Sequence, residues 1–389
     1  MFTREDSQLI ARSLGHAGAL LDAIDAPRVL LVLDRGVADA TGADATLRRS
    51  LGGRIVGTFT DFTPNPRSDQ ALAAARAAID LRADALLALG GGSCLDVAKV
   101  GALGAGMPNE APALVRGSPN AHVAPRPVVA IPTTSGTGSE ATHFAAIYVD
   151  GHKVSVAHPA MRPRAVVLDV TLHMAMPASI AAATGLDALC QAVESHWASG
   201  ATDTSRAHAM DALALIAPHL APSVRGHGTK AAPVESTEFR AHREAMMLGA
   251  HRAGRAINIS KTTASHALSY ELTTRFNIPH GLAVALTLGH VAAFNDRVCD
   301  ADCTHPGGPE VARRCVREAC RTLEATPEEL AARLRDLLTQ LGQPPTLAAA
   351  GVRREALAPM AAAADTVRLS NNPRRLTEAD ALSILTAAY

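Results

Sequence analysis

Apolar and polar positions follow two different rhythms along this chain. Up to about residue 170, short runs that are apolar at nearly every position alternate with stretches of helical period. RVLLVLD (28–34), DALLALGGGS (84–93) and PVVAIPTTSGTGSE (127–140) read as strands, the last two ending in loops of small residues. ALAAARAAIDLRA (71–83) and DVAKVGALGA (96–105) read as helices, and HKVSVAHP (152–159) and RAVVLDV (164–170) as further strands. Strands apolar on both faces, alternating with helices, predict a parallel, doubly wound sheet. From about Pro177 onward strand signals nearly vanish. Ala/Leu-rich helices follow one another, broken at PVESTE, at NIPHG and at HPGGPE. The expected organisation is an α/β dinucleotide-binding domain over 1–176 and an all-helical metal- and substrate-binding domain over 177–389.

Length agrees with this division, since 389 residues exceed what one core usually supports. The balance of 37 basic against 37 acidic residues gives no reason to expect nucleic acid or an anionic membrane surface as partner. No apolar run reaches the length of a membrane span, and the start is polar (FTREDS), so a cytoplasmic protein without leader is expected. Cys299, Cys303, Cys315 and Cys320 crowd together around His305. Their C-x3-C, C-x11-C and C-x4-C spacings fit no common zinc module, and reduced thiols are the expectation.

Two loops carry candidate cofactor chemistry. GGGSCLD (90–96) lies where a strand hands over to a helix, so Gly91, Gly92 and Ser93 can bring backbone N–H groups to a pyrophosphate at the helix N-terminus. It is neither a Rossmann nor a Walker loop, and alone it would equally serve as a tight turn. TTSGTGSEAT (133–142) offers hydroxyls and glycines after the next strand. Two such loops on neighbouring strands converge at the carboxyl edge of one sheet, where open α/β sheets bind ligands. Asp34 closes the first strand, where it can accept from a ribose hydroxyl and repel a 2′-phosphate; Arg35 beside it works against that preference for NAD.

The helical half carries a second constellation. In GLDALCQAVESHW (185–197) a helix puts Asp187 and Gln191 on one face. SHALSYELTTRFNIPHG (265–281) places His266 on a helix and, past the break at Pro279, His280 at the entry to the next. One Asp and two His suit a divalent metal. An amide as fourth partner is unusual, leaving Gln191 as ligand, remnant of a lost site or ordinary surface glutamine. HRAGRAINISKTTASHA (251–267) clusters Arg252, Arg255 and Lys261 with Asn258. It is either a solvated basic face or an anion pocket, with Arg255, Asn258 and Lys261 binding a phosphonate, phosphate or carboxylate tail.

Together, GGGS-x-x-D-x-A-K (90–99), PTTSGTGSE (132–140), the GLDAL helix, HA-x12-HG (266–281) and NNPR (371–374) resemble the iron-containing (group III) alcohol dehydrogenases. The resemblance implies a dehydroquinate synthase-like fold, NAD(P)H with Fe2+ or Zn2+, a small-molecule aldehyde substrate, and a homodimer. It implies that Asp96 lies near the nicotinamide ribose and that Thr133, Thr134, Gly136 and Ser139 line the cofactor. Asp187, Gln191, His266 and His280 fall on the metal-ligand positions, with His266, Tyr270 and His280 in catalysis. Metal-dependent members carry His at the Gln191 position and commonly at the Tyr270 position, and maleylacetate reductases deviate here and work without metal. Within the family, the GLDALCQAVESHWA helix and the DC-T-H-P-G-G insert are most similar to the branch acting on phosphonoacetaldehyde in phosphonate antibiotic biosynthesis.

Overall fold

The computed structural model describes residues 2–107, 125–225, 236–364 and 366–389. The chain forms two compact units, one of Met1–Thr134 with Gly138–Met176, the other of Ser135–Thr137 with Pro177–Tyr389.

The first unit is built on a seven-stranded sheet. Its strands are β1 (Phe2–Glu5), β2 (Gln8–Ala11), β3 (Val29–Leu33), β4 (Ile55–Phe59), β5 (Ala85–Gly90), β6 (Val128–Pro132) and β9 (Ala165–Val167), in the order β1-β2-β9-β6-β5-β3-β4. Every neighbouring pair is parallel except the β1–β2 edge. Side chains alternate across the pleat, and both faces are covered. Val29, Leu31, Leu87, Leu89 and Ile131 pack with Leu20, Leu21 and Leu47 on one face. Leu30, Val32, Leu86, Ala88 and Ala130 pack with Ala74, Ala78, Leu95 and Val97 on the other. That double burial is why the central strands read as unbroken apolar runs.

Strands β7 (Phe144–Val149) and β8 (His152–Ala157) form a separate antiparallel ribbon, so the 152–159 segment does not join the main sheet. Four strands escape the sequence pattern: β1, β2, β4 and β7. β1 and β2 are only four residues long and β4, five residues, is nowhere buried, whereas β7 (FAAIYV) is apolar throughout with only two residues buried.

In the second unit the described residues form no strand of two or more pairs. Its longer helices are Ala178–Trp197, Asp203–Arg225, Thr237–Ser260, Ala264–Phe276, His280–Asn295, Gly308–Arg321, Leu330–Gln340 and Glu378–Ala388. Helix Ala178–Trp197 lies at the centre, and every residue from Gly185 to Trp197 is buried. At the expected PVESTE break, residues 233–235 lie outside the described residues. Ser236 caps the following helix, accepting from the Phe239 N–H at 3.1 Å. Asn277, at φ +52°, stops the Ala264–Phe276 helix within NIPHG, a position that asparagine tolerates in the left-handed region. No helix among the described residues is long and apolar enough to cross a membrane.

Candidate functional site

In the first unit, the loop after β5 runs straight into helix Gly92–Gly106, with Gly91 as its cap. The helix therefore begins at the glycines, four residues earlier than the sequence suggests, so Gly92 and Ser93 belong to its first turn. A Cβ on Gly90 would lie 2.6 Å from Cys94 Cβ and 3.0 Å from Asp34 Cβ, so only glycine fits where β5 meets the end of β3. Asp34 is thus beside the loop, with one carboxylate oxygen accepting from Val37 N–H at 3.3 Å to cap helix Arg35–Thr41. The second loop closes on the first: Thr133 N–H donates to Gly90 O at 3.1 Å, and Thr134 lies against Gly91. The Thr133 hydroxyl is buried with no hydrogen-bond partner.

Asp96 and Ser139 face each other rather than solvent. The Ser139 hydroxyl donates to Asp96 Oδ1 at 2.5 Å, and the Ala146 N–H to Oδ2 at 2.9 Å. Beneath them Lys99 is fully buried, donating to Ser139 O (2.9 Å), Ser139 Oγ (3.1 Å), Thr142 Oγ1 (2.9 Å) and the Phe144 carbonyl. Burial pushes the Lys99 ammonium down to about 8, against the attraction of Asp96 and Glu140. The same burial raises the Asp96 carboxyl, against the pull of Lys99 and the Ser139 hydrogen bond. Lys99, quoted within the glycine-loop motif but given no role, thus ties the helix after β5 to the loop after β6.

In the second unit three elements bring Asp187, His266 and His280 together, one ligand atom from each lying within 4.8 Å of the others. His266 Nε2 is 3.4 Å and His280 Nε2 4.0 Å from Asp187 Oδ1. The glycine after His280 explains the approach. A Cβ on Gly281 would stand 2.0 Å from Ala183 O and 2.6 Å from Asp187 N, so the two helices touch backbone to backbone there. Gly136 behaves alike: a Cβ would meet Thr184 Cβ at 2.4 Å, so packing on this helix by itself requires a glycine there.

The sequence reading gave Glu194 no role, yet it organises this site. Its fully buried carboxylate accepts from Thr263 N–H (3.1 Å), Thr263 Oγ1 (2.8 Å), Ser265 N–H (2.7 Å) and His266 Nδ1. Burial works to raise this carboxyl, but the His266 charge and these hydrogen bonds hold it below its ordinary value. For His266 burial pulls downward, and the charges of the nearby Glu194 and Asp187 carboxylates, with the hydrogen bond to Glu194, override it to raise the imidazole. Donation from Nδ1 to Glu194 directs Nε2 toward Asp187. The signal was present in the sequence: Asp187, Gln191 and Glu194 stand at i, i+4 and i+7, one face of one helix.

Gln191 joins the group through its amide nitrogen, 3.0 Å from Asp187 Oδ2 and 3.4 Å from Thr137 O. Its Oε1 and the His266 Nε2 are both buried without a hydrogen-bond partner. Two orphaned donor atoms beside a carboxylate and a second imidazole fit a divalent metal, with one carboxylate, two imidazoles and an amide oxygen as the donor set. Tyr270 is half-buried one turn past His266, its ring 6.4 Å from that of His280.

The three residues expected to bind an anion occupy different environments. Arg255 is 6% exposed, Asn258 half-buried and Lys261 exposed. Lys261 ends helix Thr237–Ser260 at φ +61°, ψ −173°. Of the crowded cysteines, Cys315 and Cys320 are buried and Cys299 is exposed, all as free thiols. Cys315 lies with His196 and Glu318 in a second group of metal-ligating type, but the positive charge of the nearby Arg206 guanidinium opposes a cation there.

The sequence pattern of the iron-containing alcohol dehydrogenases matches residues 9–170, and that of the C-terminal part of the Fe-containing alcohol dehydrogenase family matches residues 181–389. A phosphonoacetaldehyde reductase of Streptomyces viridochromogenes is 36% identical over 361 residues, 90% of this chain and 87% of the relative. The probable alcohol dehydrogenase EutG of Salmonella typhimurium is 30% identical over 97% of this chain and 91% of its own. Among solved structures, a sulfoacetaldehyde reductase from Bifidobacterium kashiwanohense in complex with NAD+ superposes with a TM-score of 0.85 at 26% identity, covering 100% of this chain and 98% of that one.

Proposed function

This chain belongs to the iron-containing alcohol dehydrogenase family, and from that premise we propose that it reduces a small anionic aldehyde, phosphonoacetaldehyde, to 2-hydroxyethylphosphonate with NAD(P)H. That it is an oxidoreductase of the alcohol dehydrogenase type follows from the family; the substrate is our reading. The observation that carries it is the convergence of Asp187, His266 and His280 within 4.8 Å, with Tyr270 next to them. The Streptomyces relative named for this reaction supports the choice of aldehyde.

Asp187, His266 and His280 would hold the metal, with Gln191 able to turn its amide oxygen toward it. Bound there, a divalent metal supplies Lewis-acid polarisation of a carbonyl oxygen. Glu194 keeps His266 in one tautomer and one orientation. Tyr270 orients the substrate or passes a proton from solvent to the forming alcohol. Lys261 and Arg255 are assigned to the phosphonate, and Asn258 to a polar contact beside it. Gly91, Gly92 and Ser93 present N–H groups to the cofactor pyrophosphate, while Thr133, Thr134, Gly136 and Ser139 line it. Asp34 takes the adenosine ribose and Asp96 the nicotinamide ribose. We place the boundary between these two roles at residue 176 and assign the working form as a homodimer.

One observation favours a second reading: Gln191 turns its amide N–H, not its oxygen, to Asp187, donating to Oδ2 while Oδ1 alone faces the two imidazoles. A metal-free reductase of the maleylacetate type would keep that hydrogen bond. Following NADH absorbance with phosphonoacetaldehyde, sulfoacetaldehyde, succinic semialdehyde and maleylacetate, with and without chelator, separates the two. Chelator-resistant turnover of maleylacetate would replace the first reading by the second.

A further inference from the structure

Arg368 lies in a five-residue helix, Thr366–Ser370, just before the NNPR motif at 371–374. In the fold its guanidinium carbon lies 5.0 Å from the centroid of the Tyr270 ring. Its Nε donates to Thr262 Oγ1 at 3.1 Å, which fixes the guanidinium plane against the ring. The same ring has His280 as a neighbour, with 6.4 Å between ring centroids. A planar cation and the imidazole at which the aldehyde is proposed to react are therefore both neighbours of Tyr270.

The segment beneath Arg368 is built rather than loose. Thr262 is buried, and the Asn371 amide donates to both Ser260 O (2.8 Å) and Thr262 O (3.0 Å). Between those carbonyls Lys261 takes φ +61°, ψ −173°, a conformation normally left to glycine. Such an arrangement persists only where its surroundings enforce it, and here the enforcing residues also carry Arg368.

We propose that Arg368, laid on Tyr270 and anchored on Thr262, binds the anionic end of the aldehyde and so determines specificity for an acidic substrate. The proposal rests on the reading of the chain as a reductase of anionic aldehydes and adds to Arg255 and Lys261 a further residue for the anion. A guanidinium matches two oxygens of a phosphonate or sulfonate in its own plane, which an ammonium does not. Tyr270 then has a defined part, as the surface that keeps the guanidinium flat and at a fixed distance from His280. A histidine there would be a second titratable cation facing His280, and would stack Arg368 less well.

The test measures kcat/KM of the metal-loaded enzyme for phosphonoacetaldehyde and for acetaldehyde in the wild type, Arg368→Met and Arg368→Lys. Loss of a charge-assisted bidentate contact should lower the ratio of the two values about 10–100-fold in Arg368→Met. Arg368→Lys should recover part of it, since the charge remains and the fork does not. Inhibition of acetaldehyde reduction by ethylphosphonate should weaken in parallel. Equal losses on both aldehydes would make Arg368 a clamp for its helix and overturn the proposal, while the anionic-aldehyde reading stands. A wild type with no preference for phosphonoacetaldehyde would remove both.

Discussion

The Glu194 carboxylate accepts a hydrogen bond from His266 Nδ1, and it does so from the same helix face that carries Asp187. A metal ligand whose far nitrogen is fixed by a carboxylate binds with its near nitrogen already aimed, and losing such a partner typically costs 10–100-fold in metal affinity. Glu194→Gln should therefore weaken retention of Fe2+ or Zn2+ by about 10–100-fold, measured by competition with a chelator. Glu194→Ala should also lower the melting temperature of the metal-free protein, because the Thr263 and Ser265 N–H groups lose their acceptor. Unchanged metal affinity in Glu194→Gln would mean that His266 needs no support.

Gly281 makes a different prediction, a purely steric one. Its backbone conformation is open to any residue, but the position of an added Cβ is taken by Ala183 O and Asp187 N. Gly281→Ala must part the two helices that carry Asp187 and His280, at an overpacking cost of about 1–3 kcal/mol. Metal retention should fall together with stability, since the same displacement separates the ligands. A folded Gly281→Ala protein with full metal affinity would contradict the backbone contact.

Gln191 tests the donor set itself. Gln191→His replaces a neutral amide by an imidazole on a face already holding Asp187, so metal affinity should stay or rise. The measurement is metal content after dialysis against graded chelator. Loss of metal would show that Gln191 acts through its hydrogen bond to Asp187 rather than as a ligand position.

Lys99 sets a pH dependence in the other unit. Its folded-state value of about 8 lies below the ordinary lysine value. Between these limits the unfolded chain binds a proton that the folded chain does not, so the contribution to stability rises with pH from about 8 to 10.4. At full extent that is of order 3 kcal/mol. Denaturant midpoints of the wild type relative to Lys99→Met should therefore improve across that window, the variant cancelling all other titrations. A flat difference would mean that Lys99 keeps its proton inside the fold.

The central parallel strands, the two glycine loops, and Asp187 with His266 and His280 were legible in the sequence, because each rests on a local signal. Those signals are double-sided burial, a strand running into glycine, and ligand types on a helix or at a helix entry. Lys99 and Glu194 stood inside quoted motifs but acquire a function only through partners 40 to 72 positions away. Arg368 meets Thr262 across 106 positions from a helix with no distinguishing pattern, and no local reading reaches that far. Gly136 was legible only as part of a small-residue loop and Gly281 only as the residue after His280; the fold adds close helix packing.

The most direct test is kcat/KM of the metal-loaded wild type for phosphonoacetaldehyde against propanal, a neutral aldehyde of comparable length, by NADH absorbance. With one charge-assisted anion contact in use, the phosphonate should be favoured by at least about 10-fold, and the preference should shrink as salt is raised. An enzyme that reduces propanal as well as the phosphonate, at any ionic strength, would contradict the account.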